Sequence, residues 1–346
     1  MAQTPDQLPE SIVLGQFSGI RNTVTRERLK QDELEAAVNV DFDDTGQASR
    51  RGGRRKVLSG DVHSVKTIGG RTLAVVDKQL GWIDTAYQFH GLGFTAGAEK
   101  LSYTQVGDIT FFASLATSGK IIGDEVLPWG GDASGEWLSP VITPTDTLGA
   151  VFGTLLTPPP RAEHIAGYRG RIYLAAGRYA WGTELWMFDY IDKTRNFLQF
   201  EEDITMMAPV DDGIYFGTKA NLWFLSGTLS DGFQRRNILE YGVIPGSLVS
   251  APTTDIHPNA RNAPFPENMG ILFMTERGIA AGFDEGQVFD LTHGRVEFPA
   301  ATAAASLYRS DSGGSSYVAV ADSAGGPAAN ARIGDYVDAE IVKRGG

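Results

Sequence analysis

The sequence predicts an all-β protein: a β-propeller of six or seven blades, complete or incomplete, behind an N-terminal arm that contains a short helix. Three observations lead there. Glycine is frequent, 42 of 346 residues, against a usual level of about 7%, so the chain turns more often than a helical bundle needs. Gly-Gly and Asp-Gly pairs separate runs rich in Ile, Tyr, Val and Phe, the pattern of hairpins whose two-residue turns require positive φ. These runs also recur at the spacing of propeller blades.

The recurrence is clearest in the middle of the chain. From Glu163 the sequence passes through Gly170 into Ile172-Tyr173-Leu174, then Leu185-Trp186; from Ile204 it passes through Gly213 into Ile214-Tyr215-Phe216, then Leu222-Trp223. The unit is a strand, a tight turn, a second strand, and a third strand carrying Trp. Weaker copies lie at Val62–Asp84, at Lys100–Ile122, from Gly270 to Leu291, and from Ala305 to Val320. Second strands are expected near residues 71, 109, 171, 213, 271 and 316, against roughly 40–50 residues for a four-stranded blade. The two wide spacings leave room for insertions at Gly130–Pro160 and Leu248–Glu267, the second proline-rich and read as an exposed loop. A pair of β-sandwiches would also turn every 8–12 residues, but would not return a Trp-bearing triplet at blade spacing. Such sheets bury both faces by stacking around an axis, and Ile333–Val342 reads as a closing strand. The organisation expected is an arm over 1–60, the propeller over 61–325, and a closing strand and tail over 326–346.

The arm breaks the pattern. Asp32 and Glu33 at the start, Leu34, Ala37 and Val38 on one side, and Asn39 at the end predict a helix of about two turns, too short to stand alone. Asn39–Asp43 then alternates as a strand, residues 44–47 turn, and Ala48–Arg51 returns.

Composition narrows the function classes. With no cysteine there is no disulfide framework, thiolate metal site or thiol nucleophile, which fits a reducing compartment. The first residues lack the basic and apolar regions of a signal peptide, and no apolar run approaches the roughly 18 residues of a membrane span, so the expectation is a soluble protein made in the cytoplasm. A net charge of −12 argues against general affinity for nucleic acid, which rests on a basic surface.

Individual motifs carry little chemistry. Arg50, Arg51, Arg54, Arg55 and Lys56 place five cations in seven residues, read either as a clamp on an acidic partner or DNA or as a solvated arm. Asp41-x-Asp43-Asp44-x-Gly46 lacks the acids a calcium loop needs at its fifth and twelfth positions and reads as a hairpin. His63, His90, His164, His257 and His293 have no metal-ligand spacing. Gly91-Leu-Gly93 to Gly97 has the wrong spacing for a phosphate loop and reads as a loop. Glu184, Asp189, Glu201, Glu202, Asp211 and Asp212 could supply a glycosidase pair, although Asp211-Asp212-Gly213 is what a hairpin turn needs. Trp186 and Trp223 fall at equivalent repeat positions, which favours packing between blades over sugar stacking; Trp129, Trp137 and Trp181 lie near Gly-rich loops as candidate contact residues. No catalytic residue, cofactor or metal site is assigned.

From Phe17 to Gly52 the order Phe-x-Gly-Ile, Leu-Glu-Ala-x-x-Asn-Val-Asp-x-Asp-x-x-Gly and Arg-x-Gly resembles the opening of the β-propeller tail nozzle, or tail-hub, proteins of short-tailed bacteriophages. Gly170–Ala175, Leu222–Gly227 and Arg277–Ala280 are similar to blades of that group. The resemblance implies a structural virion protein in the phage tail, assembled in the host cytoplasm as a ring, in that group a hexamer. That ring would continue the DNA channel below the adaptor and portal for genome ejection, with tail fibres or spikes as further partners and DNA passing without specific binding. This chain is shorter than many of the group, so an extended distal tip is not implied. The other expectation carried forward is a carbohydrate-binding or glycan-hydrolysing propeller.

Overall fold

The computed structural model describes residues 17–37, 40–42, 47–50, 56–130, 156–193, 195–256, 268–296, 300–311, 314–323 and 339–340. The arm holds two small sheets. β1 (Gly19–Ile20) pairs in parallel with β2 (Glu33–Leu34), and β3 (Val40–Phe42) pairs antiparallel with β4 (Ala48–Arg50). The second hairpin is the one the sequence predicts. The helix expected over 32–39 is not formed by its described part, because Glu33 and Leu34 are extended and paired; the short helix of the arm is instead a 3-10 turn at Arg26–Arg28.

The body is a β-propeller. Its first blade runs β5 (Val62–Ile68), β6 (Arg71–Val76), β7 (Gln79–Ile83) and β8 (Phe89–Thr95). The second runs β9 (Ser102–Val106), β10 (Ile109–Ala113), β11 (Ser118–Ile122) and β12 (Glu125–Leu127). After β13 (Leu156–Thr157), the third contains β14 (His164–Tyr168), β15 (Arg171–Ala176), β16 (Tyr179–Gly182) and, past β17 (Ile191–Asp192), β18 (Phe197–Gln199). The fourth is β19 (Ile204–Pro209), β20 (Gly213–Thr218), β21 (Leu222–Ser226) and β22 (Gln234–Leu239). The fifth is β23 (Val249–Pro252), then the short helix α1 (Thr253–Ile256), β24 (Met269–Thr275), β25 (Gly278–Gly282) and β26 (Val288–Asp290). Each blade is an antiparallel meander. A sixth sheet joins the long hairpin β27 (Ala301–Asp311) and β28 (Gly314–Ser323) to β29 (Ala339–Glu340).

The blade count is therefore five, not six or seven: the sixth sequence unit forms a three-stranded sheet among the described residues. β29 lies within the expected closing strand. Part of the expected loop at Leu248–Glu267 is instead the first strand of the fifth blade, since Val249–Pro252 pairs with Met269–Leu272. Gly91 and Gly93 also lie in a strand, β8, rather than a loop.

Second strands explain the stacking. Side chains alternate across a strand, so consecutive large residues of one second strand enter two different cores. Phe112 packs with Leu73, Leu80, Tyr103 and Ile121, whereas Phe111 packs with Ile165, Ile172 and Leu174. Tyr173 and Phe216 share the next core, Tyr215 and Phe273 the one after, and Leu272 packs with Tyr317 against the sixth sheet. Five cores thus lie between six sheets. First strands touch their neighbours from β5 through β9 and β14 to β19, and β23 touches β27, while β8 and β22 are largely exposed, so first strands sit nearest the axis and fourth strands form the outer wall. No helix among the described residues is long and apolar enough to cross a membrane.

Candidate functional site

Polar side chains on the axial strands hold blades together. Ser64 Oγ accepts from Leu101 N at 2.7 Å, and Ser102 Oγ accepts from Ile165 N at 3.0 Å. His164 bonds the Ile204 backbone, and burial pushes its imidazole down to about 4. Each of the three stands seven residues before the start of its second strand, at Arg71, Ile109 and Arg171. In the fourth blade a register shift between Ile204 and Met206 brings Thr205 into the role, and its Oγ1 donates to Val243 O at 2.9 Å. The column was not read from the sequence; the regular offset was its signal. These first strands also contain no Asp or Glu in any of the five blades.

The acidic residues instead lie at blade ends and outer edges. Asp189 accepts from Lys120 Nζ at 2.8 and 3.0 Å and from Gly130 N at 3.1 Å, tying the second blade to the third. Glu184 accepts from Asn196 Nδ2 at 2.5 Å and faces Arg171 at 3.7 Å. Asp211 and Asp212 form the turn between β19 and β20, as a hairpin requires. Asp211 N donates to Asp284 Oδ1 at 3.1 Å, Glu285 N donates to Asp212 Oδ2 at 2.8 Å, and Asn268 Nδ2 donates to Asp284 Oδ2 at 3.0 Å. Burial first, then the charges of Asp284 and Glu285, holds the Asp212 carboxyl above the usual range. Glu201 lies by Arg235, whose guanidinium covers the Trp223 ring at 3.7 Å and the Phe200 ring at 4.5 Å. The carboxylates of Glu184, Asp189, Glu201 and Asp212 thus serve contacts within and between blades, Asp211 bonds through its backbone, and Glu202 Oε2 is buried without a hydrogen-bond partner.

Histidines follow the same rule. His63 Nδ1 lies 2.8 Å from Ser64 Oγ, and His90 stacks on Trp82 with its Nε2 2.9 Å from Asp84 Oδ2. No group of three or more candidate metal ligands occurs among the described residues; His257 and the turn Asp43–Gly46 lie outside them.

The tryptophan assignment needs correction. Leu174 pairs with Trp181 just as Phe216 pairs with Trp223, so Trp181, not Trp186, is the counterpart of Trp223. Residues 184–188 form a loop that folds onto the β14–β15 turn: Trp186 N donates to Gly170 O at 2.8 Å. Trp186 itself has φ of 59° and is 70% exposed. Trp129 is buried and donates from Nε1 to Phe188 O at 2.8 Å, so it packs rather than meeting a partner. Trp137 lies outside the described residues. Tyr179 and Trp181, on one face of β16, are joined across the ladder by Phe197, with Tyr179 and Phe197 exposed.

Of the basic cluster, Arg50 ends β4 opposite Val40 and Lys56 follows, both exposed; Arg51, Arg54 and Arg55 lie outside the described residues. The arm meets the body elsewhere. Asn22 N donates to Arg295 O at 3.0 Å, Thr23 Oγ1 donates to Gly294 O at 2.9 Å, and Arg295 Nη2 donates to Ser18 O at 3.2 Å. Behind this dock the arm is self-bonded, through Ser18 N to Asp32 O at 2.6 Å, Arg21 N to Leu34 O at 2.7 Å and Arg21 Nη1 to Glu33 Oε1 at 3.4 Å.

No protein-family model matches the chain, and neither does any curated protein. Among solved structures it is similar to PorZ, a bacterial surface component of the type-IX secretion system of Porphyromonas gingivalis, at 8% identity and a TM-score of 0.42 over 76% of this chain and 31% of that one. It is similar to the extracellular domain of BT4673 from B. thetaiotaomicron at 12% identity and a TM-score of 0.44, over 76% and 32%. A further likeness is to BBS1N in complex with ARL6DN, at 9% identity and a TM-score of 0.38, over 72% and 71%. The chain spans about a third of the length of the first two.

Proposed function

We propose that this protein is a structural component of a bacteriophage tail, a nozzle or hub subunit that forms a ring, a hexamer by resemblance, below the adaptor and portal. It is not an enzyme; its work is assembly and the passage of DNA at ejection, in a particle built in the host cytoplasm. Residues 1–60 serve as the contact arm, 61–325 as the propeller and 326–346 as a closing segment, with the adaptor and tail fibres or spikes as neighbours. The observation that carries the reading is the arm. The described residues of the segment bearing the phage-tail resemblance, Phe17 to Gly52, form two small sheets separate from the blade sheets, bond the body through residues 294–295, and include the exposed Arg50, with the exposed Lys56 just beyond.

Charge distribution refines the channel. Because the axial strands of the five blades hold no acids, a wall that repels phosphate has to come from blade ends and outer edges around the axis of the ring, not the axis of one propeller. Electron microscopy of the purified protein alone and on its adaptor tests the proposal: rings with a central channel are expected, and separate propellers under both conditions would overturn it.

A second reading, glycan binding, is favoured by one observation, the exposed rings of Tyr179 and Phe197 beside Trp181. Aromatic faces of this kind bury apolar surface of a partner at small entropic cost. A glycan array and a hydrolysis assay on host surface polysaccharide decide it: binding lost in Phe197→Ala supports a sugar platform, and silence of the wild-type protein in both assays removes it.

A further inference from the structure

Ring closure needs a heterologous interface, two different surfaces of one chain that fit each other. This chain carries such a pair: arm residues 18–23 and the turn at 294–295, joined by three hydrogen bonds. We propose that in the assembled ring the arm of one subunit docks on residues 294–295 of the next copy, so that the contact made within a single chain is exchanged between chains. The inference rests on the ring reading above and specifies its contact.

Four features carry it. The dock is shallow, with Asn22, Thr23 and Gly294 all exposed, and two of its three acceptors belong to the backbone of the turn, so any copy presents the same groups. The arm carries bonds of its own that do not involve the body: the β1–β2 pair, the Arg21–Glu33 ion pair and the Arg26–Glu35 ion pair at 2.5 Å. Chain length allows the exchange: residues 35–61 separate the docked segment from the first blade, and with β3 and β4 paired residues 35–39 and 51–61 still reach on the order of 50 Å at about 3.3 Å per residue. Charge favours it too. Residues 1–60 contain nine acidic and nine basic residues, so the net −12 of the chain belongs to residues 61–346, while 50–56 concentrate five cations. An arm drawn across a neighbouring acidic body gains long-range attraction, at no loss of the bonds it already makes, as in other exchanges of identical elements.

The absence of cysteine in the chain makes the test direct, because Asn22 and Arg295 are joined backbone to backbone at 3.0 Å. Full-length Asn22→Cys and Arg295→Cys variants, one carrying a mass tag, are mixed under conditions where the wild type is ring-forming by native mass spectrometry, then oxidised. A mixed disulfide joining the two chains as the main oxidised product is expected. The double variant N22C/R295C, oxidised in the same way, should give a ladder of covalent oligomers on non-reducing gels. A double variant that closes only within single chains, or forms no disulfide at all, overturns the exchange. Rings without any mixed disulfide would sink the exchange and leave the ring standing, whereas a chain that stays monomeric even with its adaptor would remove both.

Discussion

The third and fourth blades and the N-terminal arm are built from the same kinds of backbone pairing but held by opposite means. Between those blades, Tyr173, Ile214 and Phe216 are at most 1% exposed and share a core with Ala175, Met207 and Leu225. Among the described residues of the arm the buried side chain is Glu33, a charged residue, and their order comes from backbone bonds and ion pairs. Large apolar side chains contribute roughly 1.5–3 kcal/mol each when fully buried, and exposed ion pairs close to nothing. The blades therefore own their structure, and the arm borrows its position from whatever it docks on. That is the property expected of a segment whose role is contact.

The widest test of this contrast is a cavity. Phe216→Ala should cost about 3–5 kcal/mol in denaturant unfolding, while removal of residues 1–37 should change the stability of the blades by no more than about 1 kcal/mol, since the dock among the described residues is made by hydrogen bonds at the surface. If removing the arm cost as much as Phe216→Ala, the division between a self-sufficient body and a dependent arm would be broken.

A second test uses pH. His164 is held neutral by burial, down to about 4, against about 6.5 when unfolded. The unfolded chain takes up this proton first, so stability should fall as pH drops from about 6.5 to about 4, by about 2 kcal/mol once partial contact with water is allowed for. His164→Gln should flatten that part of the curve. Asp212 has the opposite sign: its raised carboxyl disfavours the fold when ionised, and that cost is relieved as pH falls through its folded titration.

Ion pairs sharpen the comparison at similar scale. Lys120 and Asp189 are only 11% and 22% exposed and bridge two blades. Lys120→Ala leaves a partly buried carboxylate without its cation, and should cost about 2 kcal/mol, less than the roughly 3–5 kcal/mol of breaking a fully buried pair because both groups keep some contact with water. A loss below about 0.5 kcal/mol would mean that the pair is no better than a surface one.

Much of the propeller was legible because the second strands are the most apolar and follow glycine turns. Their predicted starts at 71, 109, 171 and 213 coincide with β6, β10, β15 and β20. Fourth strands were not legible: Gln234–Leu239 is largely exposed, and an outer strand needs no alternation. Trp186 misled because Leu185-Trp186 copies the letters of Leu222-Trp223, while Gly177-Arg178 had already turned the chain into β16; a hairpin glycine outweighs a matching dipeptide. The arm helix failed because Glu33 finds Arg21, a partner twelve residues away that no local propensity encodes. The same holds for the column of Ser64, Ser102 and His164, whose offsets were regular but whose partners lie in the next blade. Ser102→Ala, which leaves Ile165 N without its acceptor, should cost about 1 kcal/mol; a neutral outcome would show that the column is incidental to blade order.

The smallest effect belongs to the arm. Arg26 and Glu35 make a short ion pair at 2.5 Å, yet their side chains are 80% and 45% exposed, so the attraction is screened and the ordering of two long side chains offsets most of it. Arg26→Ala should change unfolding by no more than about 0.5 kcal/mol, several-fold less than Lys120→Ala, even though its distance is the shorter of the two. Burial, not distance, decides the ranking. Raising salt from 0.05 to 0.5 M should erase the Arg26 effect and spare most of the Lys120 one, and an Arg26 effect that persists at high salt would place this pair in a more enclosed setting than its exposure allows.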